Sequence, residues 1–350
     1  MTTGRPEQEL LSNPRSDRVK AVARLSGRSA RLRDGRFVVE GPQAVREAVA
    51  LSAEHAEHAE TLRAERRASG AGGSGTSNRR GGELPPGTLR ELYVTAEAEQ
   101  RFGDIVDAAA RVGVFARPVT DEVFTAMLND AGTLSPQGLL AVCTLINADF
   151  AELLAARPRL VAVLSQVRDP GNAGTVIRAA DAAGADAVVL TDASVDVHNP
   201  KTVRSTAGSL FHLPVVTGIP LAEALSALRG AGLWLLAADG AGELDLDDLA
   251  DDVEHGPAEP LPVAQDGPAG PPSLAGPVGW VFGNEAWGLP DADRALTDAV
   301  VRVPVHGRAE SLNLATAATV CLYATARAQR TAQRTAQRRA ARAEPADRSA

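Results

Sequence analysis

From residue 160 onward, short apolar runs alternate with amphipathic stretches. The runs at 160–164, 187–190, 213–216, 233–237, 278–282 and 299–303 are built from valine, leucine and alanine with hardly a polar break. That is the pattern of strands covered on both faces. Between them, 171–183 predicts a loop and helix closed by Gly184, 201–210 is helix-like, and 221–228 is helical. The last helix, 313–326, puts Leu314, Ala317, Ala318, Cys321 and Leu322 on one side. Strand and helix in this alternation predict an α/β domain around a mostly parallel sheet.

Ahead of it lies a smaller unit. Residues 37–41 form a strand ending at glycine, and Pro42 suits the first turn of a helix over 44–51. Strands at 92–95, 114–116 and 139–145 and helices at 98–110 and 121–128 follow, with Asp121 as the expected N-cap of the last. Stretches without apolar periodicity set the boundaries. We expect a basic arm over 1–28, a substrate-binding domain over 29–146 with a disordered insertion at 53–88, and a linker over 147–158. The second domain then covers 159–328, with a disordered insertion at 250–277, and a basic tail closes the chain over 329–350.

Composition changes this picture in a few places. Aromatics make up only 3% of the 350 residues, so small aliphatic side chains must fill the core. The net charge of -8 argues against a polyanion partner, but its distribution argues for one. Arg15, Arg18, Lys20, Arg24 and Arg28 crowd the start, and Arg330, Arg334, Arg338, Arg339 and Arg342 crowd the end, while much of the acid lies at 243–259. Cys143 and Cys321 sit in apolar runs without C-x-x-C spacing and read as buried thiols of a reducing compartment. No apolar start resembles a signal peptide, and no run reaches membrane-spanning length. The expected location is therefore the cytoplasm.

Three segments carry candidate chemistry. In 166–178, Pro170-Gly171 turns the chain and Asn172 stands where an N-cap belongs, so the N–H groups behind it could hold an anion. Asn172 reads equally as a cap alone, and Arg178 equally as the partner of Asp181. In 198–208, Lys201 and Arg204 lie three apart among small hydroxyls, suited to phosphate contact or to a solvated face. The third segment is a pair of strand ends, at Phe282 and Val303, each followed by a small-residue loop, which is how a parallel sheet makes a ligand crevice. A G-x-G-x-x-G match at 70–75 has neither a strand before it nor an apolar helix after it, so a dinucleotide reading fails. His55 and His58 lack a third ligand nearby and read as solvated.

In order and spacing, D-P-G-N-A-G-T-V-I-R at 169–178, F-G-N-E-A-W-G-L-P at 282–290 and S-L-N-L-A at 311–315 resemble the motifs of the SpoU (TrmH-type) branch of the SPOUT RNA methyltransferases. The resemblance covers about 159–326. It implies a SPOUT domain with a deep trefoil knot, preceded by a small α/β/α ribosomal-protein-like RNA-binding domain. It also implies a homodimer acting on RNA, most simply 23S ribosomal RNA, with S-adenosylmethionine as methyl donor and no metal. Carried over by motif, Gly283, Val303 and Leu312 would contact the donor, and Asn172, Arg178, Glu285, Ser311 and Asn313 would occupy the catalytic positions. The family's arginine is often assigned as the base. A guanidinium stays protonated at any ordinary pH, so Arg178 is better cast as a phosphate clamp that favours the alkoxide. A transfer-RNA methyltransferase and a catalytically silent RNA-binding protein are the competing readings.

Overall fold

The computed structural model describes residues 8–68, 85, 87–128, 136–255 and 271–343. The chain divides into two units, one comprising 1–147 with 196–212, the other 148–195 with 213–350.

The first unit opens with α1 (Asp17–Arg24) and α2 (Arg28–Asp34). The Ser16 hydroxyl caps α1 by accepting from the Val19 N–H. Val19, Val22 and Leu25 enter a core shared with Val38, Tyr93, Phe124 and Val142. The basic arm expected over 1–28 is thus partly a core element, its every-third apolar positions hidden among arginines. β1 (Arg36–Glu40) turns at Gly41 into α3 (Pro42–Ala68). This helix runs through the first part of the insertion expected at 53–88, because alanine, glutamate and arginine favour helix even without an apolar face. It also brings His55, expected to be solvated, within 3.3 Å of the Thr88 hydroxyl. The rest of that insertion, including the glycine motif at 70–75, lies outside the described residues.

The unit continues with β2 (Leu89–Val94), α4 (Ala96–Arg101), α5 (Gly103–Arg111), β3 (Arg117–Pro118), α6 (Asp121–Leu128) and β4 (Leu139–Thr144). A break at Phe102 splits the single helix expected over 98–110. The strand expected at 114–116 falls instead at Arg117–Pro118, and Thr120, not Asp121, caps α6 by accepting from the Val123 N–H. The sheet order is β1-β4-β2-β3, with β4 antiparallel to both its neighbours.

The second unit begins with α7 (Phe150–Ala155), which occupies the expected linker, then β5 (Leu160–Leu164), α8 (Pro170–Ala183) and β6 (Ala187–Thr191). Asp196–His212 rejoins the first unit as α9 (Pro200–Ser205) and a 3-10 turn, Ser209–Phe211. A nearly buried ion pair holds it there. The Arg31 guanidinium donates to Asp196 Oδ2 from Nε at 3.2 Å and from Nη2 at 2.7 Å, and Nη1 reaches the Leu25 and Ser26 carbonyls. The Phe37 ring lies 4.9 Å from His198 and 6.2 Å from Phe211, centroid to centroid. A uniform domain over 159–328 therefore does not describe this segment. Arg31 and Phe37 are more than a hundred residues away in sequence, beyond the reach of local pattern.

The chain then adds β7 (Val215–Ile219), α10 (Leu221–Gly230), β8 (Trp234–Ala238), β9 (Leu244–Asp245), α11 (Leu246–His255), β10 (Val278–Phe282), α12 (Asp291–Arg294), β11 (Ala299–Arg302) and α13 (Leu314–Ala343). The helix α11 takes up the start of the insertion expected at 250–277, and Leu274 near its end is fully buried. Residues 256–270 lie outside the described set. The seven-stranded sheet, β7-β6-β5-β10-β8-β11-β9, is parallel throughout its described pairings. α13 extends through most of the expected tail. It is tied down by Trp280 Nε1 donating to Thr325 Oγ1 at 2.8 Å, and by Gln329 Nε2 donating to the Arg159 and Gly276 carbonyls at 3.0 and 2.9 Å. Among the described residues no helix is long and apolar enough to cross a membrane.

Burial alone would raise the Asp196 carboxyl, but hydrogen bonds from His198 and Arg31 hold it well below the usual carboxylate range. A depressed folded-state pKa stabilises the fold above the unfolded value of about 4 and loses that contribution as pH falls below it. Urea midpoints between pH 6 and 3 should therefore drop more steeply in wild type than in Asp196→Asn. Arg31→Ala, which strands the carboxylate, should cost about 3–5 kcal/mol at neutral pH.

Candidate active site

At the carboxyl edge of the parallel sheet, β8, β10 and β11 end side by side. Asp239, Gly283 and Val303 follow them directly and line one cleft of about 610 Å³. The start of α13 and the loop before it close the other side with Glu310, Ser311, Leu312 and Leu314. All three residues expected to contact a donor, Gly283, Val303 and Leu312, share this cleft with Glu285 and Ser311. The wall from 305 to 313 is exposed.

Gly283 is required by a close approach. A Cβ there would lie 2.3 Å from the Gly288 carbonyl carbon and 2.5 Å from the Leu289 nitrogen. Two main-chain bonds between Asn284 and Gly288, at 3.0 and 2.9 Å, close the turn, and Gly288 takes φ +67°. Asn284 is buried, its Nδ2 donating to the Gln166 carbonyl at 2.7 Å and its Oδ1 accepting from the Ala286 N–H. It fastens the loop after β10 to the loop after β5. Sequence reasoning passed over it, although an Asn four residues before a glycine is a turn signal.

This turn presents Glu285 to the N-terminus of α8. The carboxylate accepts from the Arg168 and Asp169 N–H groups at 3.4 and 3.2 Å and from Asn172 Nδ2 at 3.2 Å. Asn172 Oδ1 in turn accepts from Asn313 Nδ2 at 3.1 Å. One hydrogen-bonded chain therefore joins Glu285, Asn172 and Asn313 from three separate segments. Asn313 also caps α13, its Oδ1 accepting from the Ala315 and Thr316 N–H groups.

Several expectations change here. The N-cap of α8 is Asp169, whose Oδ1 accepts from the Asn172 N–H at 2.7 Å, so Asn172 lies inside the helix with its side chain free for the chain just described. Asp before Pro at the first helical turn was the available signal. The helix start read as open to an anion is faced by two carboxylates, Asp169 and Glu285, of the protein itself. Arg178, further along α8, is exposed, and no hydrogen bond or ion pair of its guanidinium is found among the described residues. Lys201 is exposed on α9 in the first unit, and Arg204 there donates from Nε to Glu40 Oε2 at 3.3 Å. Neither lines the cleft.

A further carboxylate faces the cleft. Asp239 Oδ2 accepts from Arg294 Nη1 at 3.2 Å, and Arg294 also pairs with Asp291. The Asp291 hydrogen bond and the Asp239 charge raise the arginine above its usual range. Cys143 and Cys321 are buried free thiols, pushed up by loss of solvation. Among the described residues no group of three or more His, Cys, Asp and Glu could hold a metal ion.

The cleft fits a methyl donor of the expected kind. Its volume suits a small organic ligand. Phe282, Val303, Leu312 and Leu314 offer apolar contact, and Asp239, Glu285 and Glu310 give the lining an acidic character that suits a cationic ligand.

The profile of the SpoU rRNA Methylase family matches residues 159–323. The chain is 33% identical over 239 residues to the 23S rRNA (guanosine(2553)-2'-O)-methyltransferase RlmP of Bacillus subtilis, spanning 68% of this chain and 81% of that protein. It is 31% identical over 246 residues to the 23S rRNA (guanosine-2'-O-)-methyltransferase RlmB of Ralstonia nicotianae, spanning 69% and 88%. Its fold is similar to the SpoU methyltransferase AviRb from Streptomyces viridochromogenes in complex with the cofactor AdoMet. There the TM-score is 0.63 at 26% identity, covering 91% of this chain and 99% of that one.

A methyl group at Gly283 would meet backbone that cannot swing aside. Gly283→Ala should lower stability by about 1–3 kcal/mol and weaken S-adenosylmethionine binding, read by thermal melting and calorimetry. Gly240→Ala is the control, since a Cβ there meets nothing within 4 Å although the residue lines the same cleft. Its melting temperature should stay near that of the parent.

Proposed function

The chain belongs to the SpoU rRNA Methylase family, and from that premise we propose that it is an S-adenosylmethionine-dependent 2′-O-ribose methyltransferase acting on 23S ribosomal RNA. The observation that carries the reading is the junction at Glu285. One side of this residue belongs to the donor-sized cleft, and the other is bonded to Asn172. The relatives in RlmP and RlmB support ribosomal RNA as the substrate class.

A ribose hydroxyl is a weak nucleophile at neutral pH, so its proton must leave as the oxygen attacks carbon. When bound, S-adenosylmethionine supplies an activated methyl and its own leaving group. The chain's contribution is placement and charge. Glu285, fixed by the Arg168 and Asp169 N–H groups, orients the Asn172 amide, which orients Asn313. Asn313 and Ser311 then stand at the start of α13, between the cleft and the approach for RNA. In this reading Arg178 remains a guanidinium, clamps a substrate phosphate and stabilises the developing alkoxide, while the proton passes to phosphate or water. Its exposure and lack of partners among the described residues support that role.

The same reading includes a homodimer, supported by exposed Val320 and Tyr323, 40% and 48% accessible and three residues apart on α13. It includes the trefoil knot implied by the motifs. It includes a cytoplasmic location, supported by relatives from bacteria that are named for action on ribosomal RNA. Lys201 and the basic residues of the first unit would contact RNA through phosphate.

Tritiated methyl transfer onto total RNA separated by size tests the proposal. Label should enter large ribosomal RNA, whereas label confined to transfer RNA, or none, would overturn it. Arg178→Ala should lose on the order of 10²-fold or more in kcat with donor affinity retained. Near-parental turnover by Arg178→Lys would refute the clamp, because an ammonium cannot reproduce the bidentate fork.

A further inference from the structure

Trp287 is the conspicuous side chain that the chemistry above does not use. The protein has three tryptophans. Trp280 is fully buried and Trp234 is 4% exposed, but Trp287 is 50% exposed. It projects from the Asn284–Gly288 turn, two residues after Glu285, yet does not line the donor cleft. The Arg168 guanidinium lies 5.1 Å over its ring. Arg168 is itself anchored, because its main-chain N–H donates to Glu285. An indole left in water beside a charge-stacked arginine loses apolar burial. The backbone of the turn beneath it is fixed by the Asn284–Gly288 bonds and by Asn284 on the Gln166 carbonyl, so the point from which the ring projects is defined.

From this we infer that Trp287 and Arg168 form a stacking platform for an unpaired nucleobase of the RNA, adjacent to the ribose that is methylated. Glu285 separates two neighbourhoods. The donor-sized cleft is on one side, and Asn172, Arg168 and Trp287 are on the other. With the donor in the cleft, the acceptor strand reaches the junction from the Arg168–Trp287 side. Arg168 covers part of the indole by a cation–π contact, and the remaining exposed ring surface offers a base a flat apolar surface. The nearby guanidinium adds attraction for the adjoining phosphate. Proteins hold splayed-out bases in RNA in this way, by stacking on aromatic and guanidinium planes. The platform selects single-stranded or flipped nucleotides by shape and carries no preference for one base.

The inference rests on the RNA methyltransferase reading, and its test separates the two. Full-length protein, excited at the red edge of indole absorption, is titrated with acrylamide and then with a short single-stranded RNA oligonucleotide. Trp287 should be freely quenched by acrylamide, and RNA should quench it and shield it. In steady state with ribosomal RNA, Trp287→Ala should raise KM for RNA roughly tenfold, with a smaller change in kcat and an unchanged S-adenosylmethionine affinity. Trp287→Phe should restore most of the loss. If acrylamide cannot reach the indole without RNA, a second copy of the chain covers it and the platform is refuted. An active enzyme whose Trp287→Ala variant keeps its KM, with no fluorescence response to RNA, also refutes the platform and leaves the methyltransferase reading intact. RNA quenching of Trp287 without methyl transfer to any RNA would do the reverse.

Discussion

The site depends on one carboxylate held at one helix start. Glu285 accepts hydrogen bonds from two main-chain N–H groups and one side-chain amide, all from the loop after β5 and the first turn of α8. The N-terminal end of a helix carries partial positive charge, so this placement is favourable in itself. It also fixes three pieces of chain that are far apart in sequence. The loop after β10 is drawn to α8, Asn172 is turned toward Asn313, and the start of α13 is thereby located against the cleft. Gly283 and Gly288 make the turn tight enough for the carboxylate to arrive there, and Asn284 fastens it to Gln166. The arrangement organises polar groups and leaves the bond-making chemistry to an activated donor.

The two units divide the work in a way consistent with their electrostatics. The second unit owns the cleft, whose charged groups are chiefly acidic, as suits a cationic donor. The first unit carries much of the early arginine and gains α9 with Lys201, although several of its cations are committed internally. Arg31 is consumed by Asp196 and Arg204 by Glu40. Lys201, by contrast, is exposed on α9.

Much of the second unit was legible in the chain. Apolar runs located six of its seven strands, five of them to within one residue at each end and β7 to within three, because strands buried on both faces leave a continuous apolar signal. The cleft was legible as well, since Phe282 ends β10, Val303 directly follows β11, and small or turn-forming residues come after each. What escaped were features set by distant partners or by helix propensity without a face. The return of 196–212 to the first unit depends on Arg31 meeting Asp196, a pairing no local window contains. The helical course of α3 past residue 53 and of α13 past residue 328 has little or no apolar periodicity to reveal it. At the site itself, Asp169 displaced Asn172 as the cap, and that exchange freed Asn172 for its role between Glu285 and Asn313.

The chemistry assigned to this site makes the acceptor a ribose oxygen and not a base nitrogen or carbon. The direct measurement is the alkaline stability of the labelled RNA. A methyl on the 2′ oxygen removes the nucleophile that cleaves the neighbouring phosphodiester. After complete alkaline hydrolysis of ribosomal RNA methylated by this protein, the label should therefore appear in alkali-resistant dinucleotides. Label recovered in mononucleotides carrying a methylated base would contradict the account.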